Sequence, residues 1–141
     1  MPERIPGVVF VVVKDGQVLL EKRPDRKGDS FRNEIIIPGG HIDPGETAPH
    51  AVLRELREEL NLRLLKCRLL GSVIYGHANK PYEAHTFLVT DFNRGELVNV
   101  EPEKGEHWWV PIEDAREKLS LEASRKIIDL ARGVLVFGQD G

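Results

Sequence analysis

Apolar runs and short polar breaks alternate at the start of the chain. Residues 7–13 are Val-rich and end at Lys14, a pattern that predicts a buried strand. Asp15-Gly16 comes next, and residues 17–23 form a second run with strand character. Because Asp-Gly is typical of the two-residue turn in a β-hairpin, this pattern predicts two antiparallel strands.

A short apolar run follows the polar residues 24–34, whose Pro, Gly, Asp and Ser predict a loop. Residues 35–37 are all Ile, which indicates a third strand. The next residues are Pro38-Gly39-Gly40, so we expect a sharp turn where this strand ends.

A helical period of apolar residues predicts a helix over residues 48–60. Thr47 is a suitable N-cap, and Pro49 is tolerated in the first turn. Asn61 follows the helix and is one of the few residue types that adopt the left-handed conformation at a helix end. Four apolar residues are expected to face the core: Val52, Leu53, Leu56 and Leu60.

The second half of the chain continues the mixture of strands and helices. Residues 68–77 and 84–92 predict a second hairpin, and residues 107–110 a further short strand. Residues 113–119 and 121–132 have helical patterns, and residues 133–141 permit no prediction. The order of elements predicts an α/β fold with a mixed β-sheet and helices inserted between strands.

Composition limits the function classes. A chain of 141 residues with 40% hydrophobic residues and a net charge of -3 fits one domain over residues 1–141 and disfavours disorder or non-specific nucleic-acid binding. The first apolar run is far short of the ~20 residues that span a membrane. Cys67 is the one cysteine, so an internal disulfide is excluded and a reduced cytoplasm is expected.

Three carboxylates share one face of the first predicted helix. Glu55, Glu58 and Glu59 stand at i, i+3 and i+4, where they repel one another unless a cation or solvent separates them. Arg54 is four residues before Glu58 and is expected to pair with it. The face therefore fits either a site for a hard ion such as Mg²⁺ or a solvated helix surface, and spacing alone leaves both open.

The residues upstream of this helix extend the pattern. Residues 40–62 resemble the Nudix box, the signature of the Nudix hydrolase superfamily, through these positions: Gly40, Glu46, Arg54-Glu55-Leu56, Glu58-Glu59 and Leu62. Asn61 stands where the box usually has Gly, and Asn can fill the same role at a helix end. The resemblance implies a Nudix-type α/β/α sandwich over most of the chain.

The resemblance also implies a mechanism. Nudix enzymes use Mg²⁺ or Mn²⁺ to hydrolyse a nucleoside diphosphate linked to another moiety. Carried to this chain, the metal ligands are the carboxylates of Glu55, Glu58 and Glu59 and a backbone carbonyl at the Gly39-Gly40 turn, assigned to Gly40. One of the three carboxylates is expected to deprotonate the attacking water. Arg54 and Glu46 become the pair that orients the ligands.

Two regions outside the box resemble the MutT-like branch of the superfamily. Residues 99–104 and the following Trp109-Val110-Pro111 match it, and in similar enzymes this loop supplies a further catalytic carboxylate. We expect Glu103 in this role, with Glu101 and Glu106 as alternatives and an exposed acidic loop as the competing interpretation.

A basic patch runs from the end of the second strand into the following loop: Lys22, Arg23, Arg26, Lys27 and Arg32. By resemblance, Arg23 contacts substrate phosphate, whereas solvated loop charge accounts equally well for the others. An unaccompanied basic patch is weak support for nucleic-acid binding.

Several aromatic residues are candidates for stacking on a base: Phe31, Tyr75, His77, Tyr82, His85 and Trp108. Phe31 and the Gly39-Gly40 turn are the residues we assign to substrate binding beside Arg23. Trp108 and Trp109 are neighbours in a strand, so they must point to opposite faces.

The function implied by the resemblance is hydrolysis of a nucleoside triphosphate to a monophosphate and pyrophosphate, with a role in cleaning the nucleotide pool. Nucleotide sugars, ADP-ribose and dinucleoside polyphosphates are the alternative substrates. A non-catalytic nucleotide sensor is the alternative of another class, although sensors commonly lose box carboxylates. A small nucleotide is the expected partner, with neither nucleic acid nor membrane. A homodimer is expected because it is common among similar proteins.

Overall fold

The computed structural model describes residues 3–29, 31–77, 80–93 and 105–138. In chain order its elements are β1 (Ile5–Lys14), β2 (Gln17–Lys22), β3 (Ile35–Ile36), β4 (Gly39–His41), α1 (Ala48–Leu60), β5 (Leu64–His77), β6 (Lys80–Phe92), β7 (Glu106–Pro111), α2 (Ile112–Lys118) and α3 (Glu122–Gly138). None of the described helices combines the length and the apolar character needed to cross a bilayer.

Strand β1 organises a mixed sheet. It pairs in parallel with β6 and antiparallel with β2 and β4, while β5 and β6 form the second predicted hairpin. Strand β2 also pairs with β3 and with β7. The predicted β1–β2 hairpin is confirmed: Asp15 and Gly16 have φ values of 52° and 76°, as a two-residue hairpin turn requires.

Helices cover both faces of this sheet. Val9 and Val11 of β1 pack in the cluster that contains Ile127 and Ile128 of α3, which with α2 covers one face. Val8, Phe10 and Val12 pack instead against α1, and residues on this side form what we call the α1 layer. Because neighbouring strand residues point to opposite faces, one Val-rich strand supplies both cores. The predicted α/β/α sandwich is confirmed.

The sharp turn predicted at Pro38-Gly39-Gly40 is wrong. Gly39 and Gly40 belong to β4, where they pair with Val9 and Val8 of β1. Phe10 also donates its backbone N–H to the carbonyl of Pro38 at 3.0 Å, so the segment already lies alongside β1. The glycines are needed for close packing, since a Cβ on Gly39 would overlap the backbone of Val8.

The core-facing position predicted for Leu53 is also wrong. Its side chain is 45% exposed, whereas Ala51, Val52, Leu56 and Leu60 are buried. The buried stripe of α1 is rotated because it includes two carboxylates as well as apolar residues. Hydropathy alone favoured a buried position for Leu53, but the sheet packs against the side of the helix that carries Glu55 and Glu59.

Candidate active site

Helix α1 begins and ends where the sequence predicts. The Thr47 hydroxyl accepts a hydrogen bond from the backbone N–H of His50 at 3.3 Å, which caps the first turn. Asn61 has a φ of 54° and donates its N–H to the carbonyl of Arg57, which ends the helix in the left-handed conformation. These two caps determine the position of the carboxylates between them.

The three box carboxylates do not share one environment. Glu55 and Glu59 are buried, at 8% and 7% exposure, and both line a cavity of about 380 Å³. Glu58 is half exposed. A fully solvated carboxylate face is therefore wrong for Glu55 and Glu59, and two buried acids side by side need cationic or hydrogen-bonding compensation.

Arg54 connects the loop before α1 to these carboxylates. Its guanidinium donates to Glu46 at 2.8 and 2.9 Å, to Glu55 at 2.8 Å and to Glu58 at 3.2 Å. It also donates to the carbonyl of His41 at 3.0 Å. The pairing predicted for Arg54 and Glu58 is confirmed, and the guanidinium holds several carboxylates in one arrangement.

The pKa values reflect this network. The Arg54 hydrogen bonds, followed by that from the Asp43 backbone N–H, lower the pKa of Glu46 to about 2. The pKa of Arg54 is raised chiefly by its hydrogen bond to Glu46. Both groups therefore remain charged at neutral pH.

Aromatic side chains form a second part of the cavity lining. The Phe31 ring lies 5.0 Å from the Tyr75 ring and 6.0 Å from the Tyr82 ring, and Tyr82 lies 5.6 Å from His41. Burial raises the pKa of Tyr75 to about 12, so its phenol is neutral at physiological pH. The cavity thus joins two buried box acids to an aromatic surface made of rings that are tilted against one another.

The family model described as the NUDIX domain matches residues 2–131. The chain belongs to the NUDIX family. The resemblance to the Nudix hydrolase superfamily is therefore confirmed, and the match covers nearly the whole chain.

Individual relatives agree with this assignment. The ADP-ribose pyrophosphatase of Methanocaldococcus jannaschii is 33% identical over 62% of this chain and 50% of its own length. The 8-oxo-dGTP diphosphatase of Haemophilus influenzae is 30% identical over 78% of this chain and 79% of its own length. A crystal structure of a MutT NUDIX hydrolase from Burkholderia pseudomallei superposes with a TM-score of 0.79 and 30% identity, covering 91% of this chain and 98% of that one.

This NUDIX chain spans about half the length of two of its curated relatives, the M. jannaschii pyrophosphatase and the Mycobacterium tuberculosis MutT4. What those larger proteins act on is therefore carried to this chain only as a proposal.

Two acids that line the NUDIX cavity, Glu21 and Glu59, belong to a group that the sequence did not predict. One carboxylate oxygen each from Glu21 and Glu59 and one ring nitrogen of His107 all lie within 4.8 Å of one another, so these atoms are placed as potential metal ligands. Glu21 Oε1 and His107 Nε2 are 2.6 Å apart and hydrogen bonded, and both side chains are buried. The residues come from β2, α1 and β7, so their spacing in sequence carries no motif. One feature of the sequence could have placed Glu21 near α1. Glu21 lies on the same strand face as Leu19, which packs in the α1 layer.

Arg23 reaches the cavity, but two carboxylates already bind it. It donates to Glu21 at 3.0 Å and to Asp29 at 2.8 Å. Arg26 of the basic patch also lines the cavity, whereas Lys22 and Lys27 are exposed and Arg32 pairs with Asp25. The phosphate contact assigned to Arg23 stays a prediction, and the structure adds a role in holding two acids.

The last predicted residues are the candidate loop carboxylates and the two tryptophans. Glu101 and Glu103 lie outside the described residues, and Glu106 is an exposed residue at the start of β7. Trp108 packs against the α3 side of the sheet and Trp109 against the α1 layer, which confirms that they point to opposite faces.

Of the two histidine candidates for base stacking, the structure describes only the side chain of His85, which is not among the residues that line the cavity. His85 is hydrogen bonded to the Ser72 hydroxyl at 3.2 Å. The side chain of His77 lies outside the described part of the structure.

Proposed function

We propose that this protein is a Mg²⁺-dependent hydrolase that cleaves a phosphoanhydride bond of a nucleoside triphosphate, releasing a monophosphate and pyrophosphate. The observation that carries the proposal is the shared cavity: Glu55 and Glu59 line it together with the aromatic surface of Phe31, Tyr75 and Tyr82. A nucleotide needs both parts, since its phosphates require cationic compensation and its base favours a flat apolar contact. The name of the H. influenzae relative supports a triphosphate substrate.

The donor set fits a hard divalent ion. Mg²⁺ takes oxygen ligands, and Glu55 and Glu59 are buried carboxylates that line one cavity. We assign these two residues, together with Glu58 and the backbone carbonyl of Gly40, to metal binding. When bound, such an ion offsets charge on the phosphate oxygens and lowers the pKa of water. Mn²⁺ has similar ligand preferences and is expected to substitute.

The protein groups supply orientation and a proton acceptor. Arg54 holds Glu55 and Glu58 through its guanidinium, and Glu46 fixes Arg54 in turn. One of the box carboxylates is assigned to accept the proton of the attacking water. Because Arg54 contacts several acids at once, moving it is expected to misplace all of them.

A nucleotide panel tests the proposed activity. We expect turnover of a nucleoside triphosphate, with pyrophosphate as product, that rises with Mg²⁺ concentration and disappears with EDTA. The panel contains normal and oxidised dNTPs, ADP-ribose, nucleotide sugars and dinucleoside polyphosphates, and product release is followed by chromatography. Selective turnover of ADP-ribose would favour the activity named for the M. jannaschii relative. Nucleotide binding without any turnover would favour a sensor.

Gly40→Ala is expected to lower kcat by on the order of 10-fold to 100-fold, since small displacements of catalytic groups have effects of this size. The added Cβ would overlap the Glu55 carboxylate and lie 2.8 Å from its Cγ. The obstacle is the end of a flexible side chain, so the melting temperature should change little. Steady-state kinetics and thermal unfolding measure the two effects. An unchanged kcat would contradict the assignment of Glu55.

A homodimer, a cytoplasmic location and the lack of nucleic-acid binding stay predictions from the sequence. Size-exclusion chromatography with light scattering measures the first of these directly.

A further inference from the structure

A series of neighbouring polar side chains leads from the box carboxylates to the aromatic surface. A carboxylate oxygen of Glu59 and one of Glu21 lie within 4.8 Å of each other, and Glu21 accepts a hydrogen bond from Arg23 at 3.0 Å. Arg23 in turn donates to Asp29 at 2.8 Å, and Asp29 accepts the backbone N–H of Phe31 at 2.9 Å. Glu21 therefore lies on the metal side of the cavity, and Asp29 lies on its aromatic side.

Asp29 is a built part of the cavity wall. Its side chain is 9% exposed, and it lines the same cavity as the three aromatic residues. Oδ1 accepts from the Phe31 N–H and Oδ2 from Arg23, and each carboxylate oxygen has capacity for a second donor. Burial acts to raise the pKa of Asp29, but the Phe31 N–H and Arg23 outweigh burial and leave the pKa below its ordinary value. The group is an anion at neutral pH.

The position of Asp29 beside Phe31 restricts what it can bind. An ionised carboxylate accepts hydrogen bonds and donates none, and it repels phosphate oxygens. Asp29 lines the same cavity as Phe31, Tyr75 and Tyr82 and is hydrogen bonded to the Phe31 backbone, so we expect a base held on these rings to have its edge within reach of this carboxylate. Two adjacent N–H donors, as on the N1 and N2 edge of guanine, match two carboxylate oxygens. Adenine presents a ring nitrogen lone pair at the corresponding place, which a carboxylate repels.

We propose that Asp29 is a specificity-determining residue that reads the base of the substrate and selects a guanine-type edge with two adjacent N–H donors. This inference rests on the proposed function, because it assumes that the cavity holds a nucleotide with its phosphates near Glu55 and Glu59. Because each Asp29 oxygen already accepts one hydrogen bond, discrimination between bases comes from the further bonds that guanine donates and from the repulsion of the adenine lone pair, and one side chain is sufficient for it.

The binding of monophosphates tests the inference without requiring turnover. Isothermal titration calorimetry with Mg²⁺ present measures the Kd of GMP, IMP and AMP for the full chain. We expect GMP to bind on the order of 10-fold or more tightly than AMP. IMP lacks the exocyclic amine and should lie between them. Equal affinities, or no binding of GMP, would overturn the proposal before any variant is made.

Asp29→Asn then assigns the preference to this side chain. The GMP affinity should fall on the order of 10-fold while the AMP affinity changes less than about 2-fold, because the lost acceptor matters only to a base with donors. Asp25→Asn is the matched control, since Asp25 is an exposed acid in the same loop that pairs with Arg32. An equal fall for both nucleotides would assign Asp29 a structural role and contradict base reading.

The outcome separates the two proposals. Hydrolysis without base preference would overturn the role of Asp29 and leave the proposed function intact. A GMP preference that depends on Asp29, in a protein that hydrolyses no member of the nucleotide panel, would support base reading while contradicting the hydrolase.

Discussion

Glu58→Gln is expected to lower kcat at least about 1,000-fold, which corresponds to roughly 4 kcal/mol of transition-state stabilisation. The substitution keeps the shape of the side chain but removes the charge assigned to metal binding, and it weakens the contact with Arg54. The side chain is 52% exposed, so the melting temperature should remain close to that of the wild type. Steady-state kinetics on the preferred nucleotide and thermal unfolding measure both quantities.

Glu117→Gln is the control for this experiment. Glu117 is an exposed acid on α2, and its substitution removes the same charge from the protein. Its kcat should equal that of the wild type. If Glu58→Gln retained full activity, the role assigned to Glu58 would be wrong, and the buried acids Glu55 and Glu59 would be left as the candidate ligands.

Gly39→Ala is expected to destabilise the fold by about 3 kcal/mol, at the upper end of the usual cost of overpacking. The added Cβ would overlap the carbonyl oxygen of Val8, which belongs to the central strand β1. A paired backbone cannot move aside as a side chain can. Thermal unfolding should show a decrease in melting temperature on the order of 10 °C.

Gly133→Ala provides the matched control in α3, where an added Cβ meets no atom within 4 Å. Alanine has the higher helix propensity, so this variant should gain roughly 0.5–1 kcal/mol. A wild-type melting temperature for Gly39→Ala would show that β4 is not held against β1 as closely as described.

Local sequence signals predicted much of the fold. Asp15-Gly16 set the β1–β2 hairpin, and Thr47 and Asn61 marked the two ends of α1. Each of these signals acts through a residue's own backbone or its immediate neighbours, which is why one sequence is sufficient. The errors at Gly39-Gly40 and Leu53 concern pairing and packing between elements, where distant residues decide the outcome.

The candidate site divides in the same way. The contacts of Arg54 with Glu58 and with Glu46 were expected from spacing and from the family resemblance, because all three residues lie on α1 or in the loop that precedes it. Glu21 and His107 were missed, since β2 and β7 meet only through sheet pairing. Asp29 was likewise placed in a loop with no assigned chemistry.

The sequence by itself determined the three box carboxylates on one helix, the caps that place that helix, and the strand patterns of the sandwich. These properties depend on side chains within a few residues of each other in sequence. Over that distance the periods of helices and strands determine which side chains share a face. The tertiary structure alone decided that Glu55 and Glu59 are buried while Glu58 is exposed, and that Glu21 and Asp29 line their cavity. Burial and long-range contacts arise only when the sheet packs against α1, so the environment of each carboxylate is a property of the assembled fold.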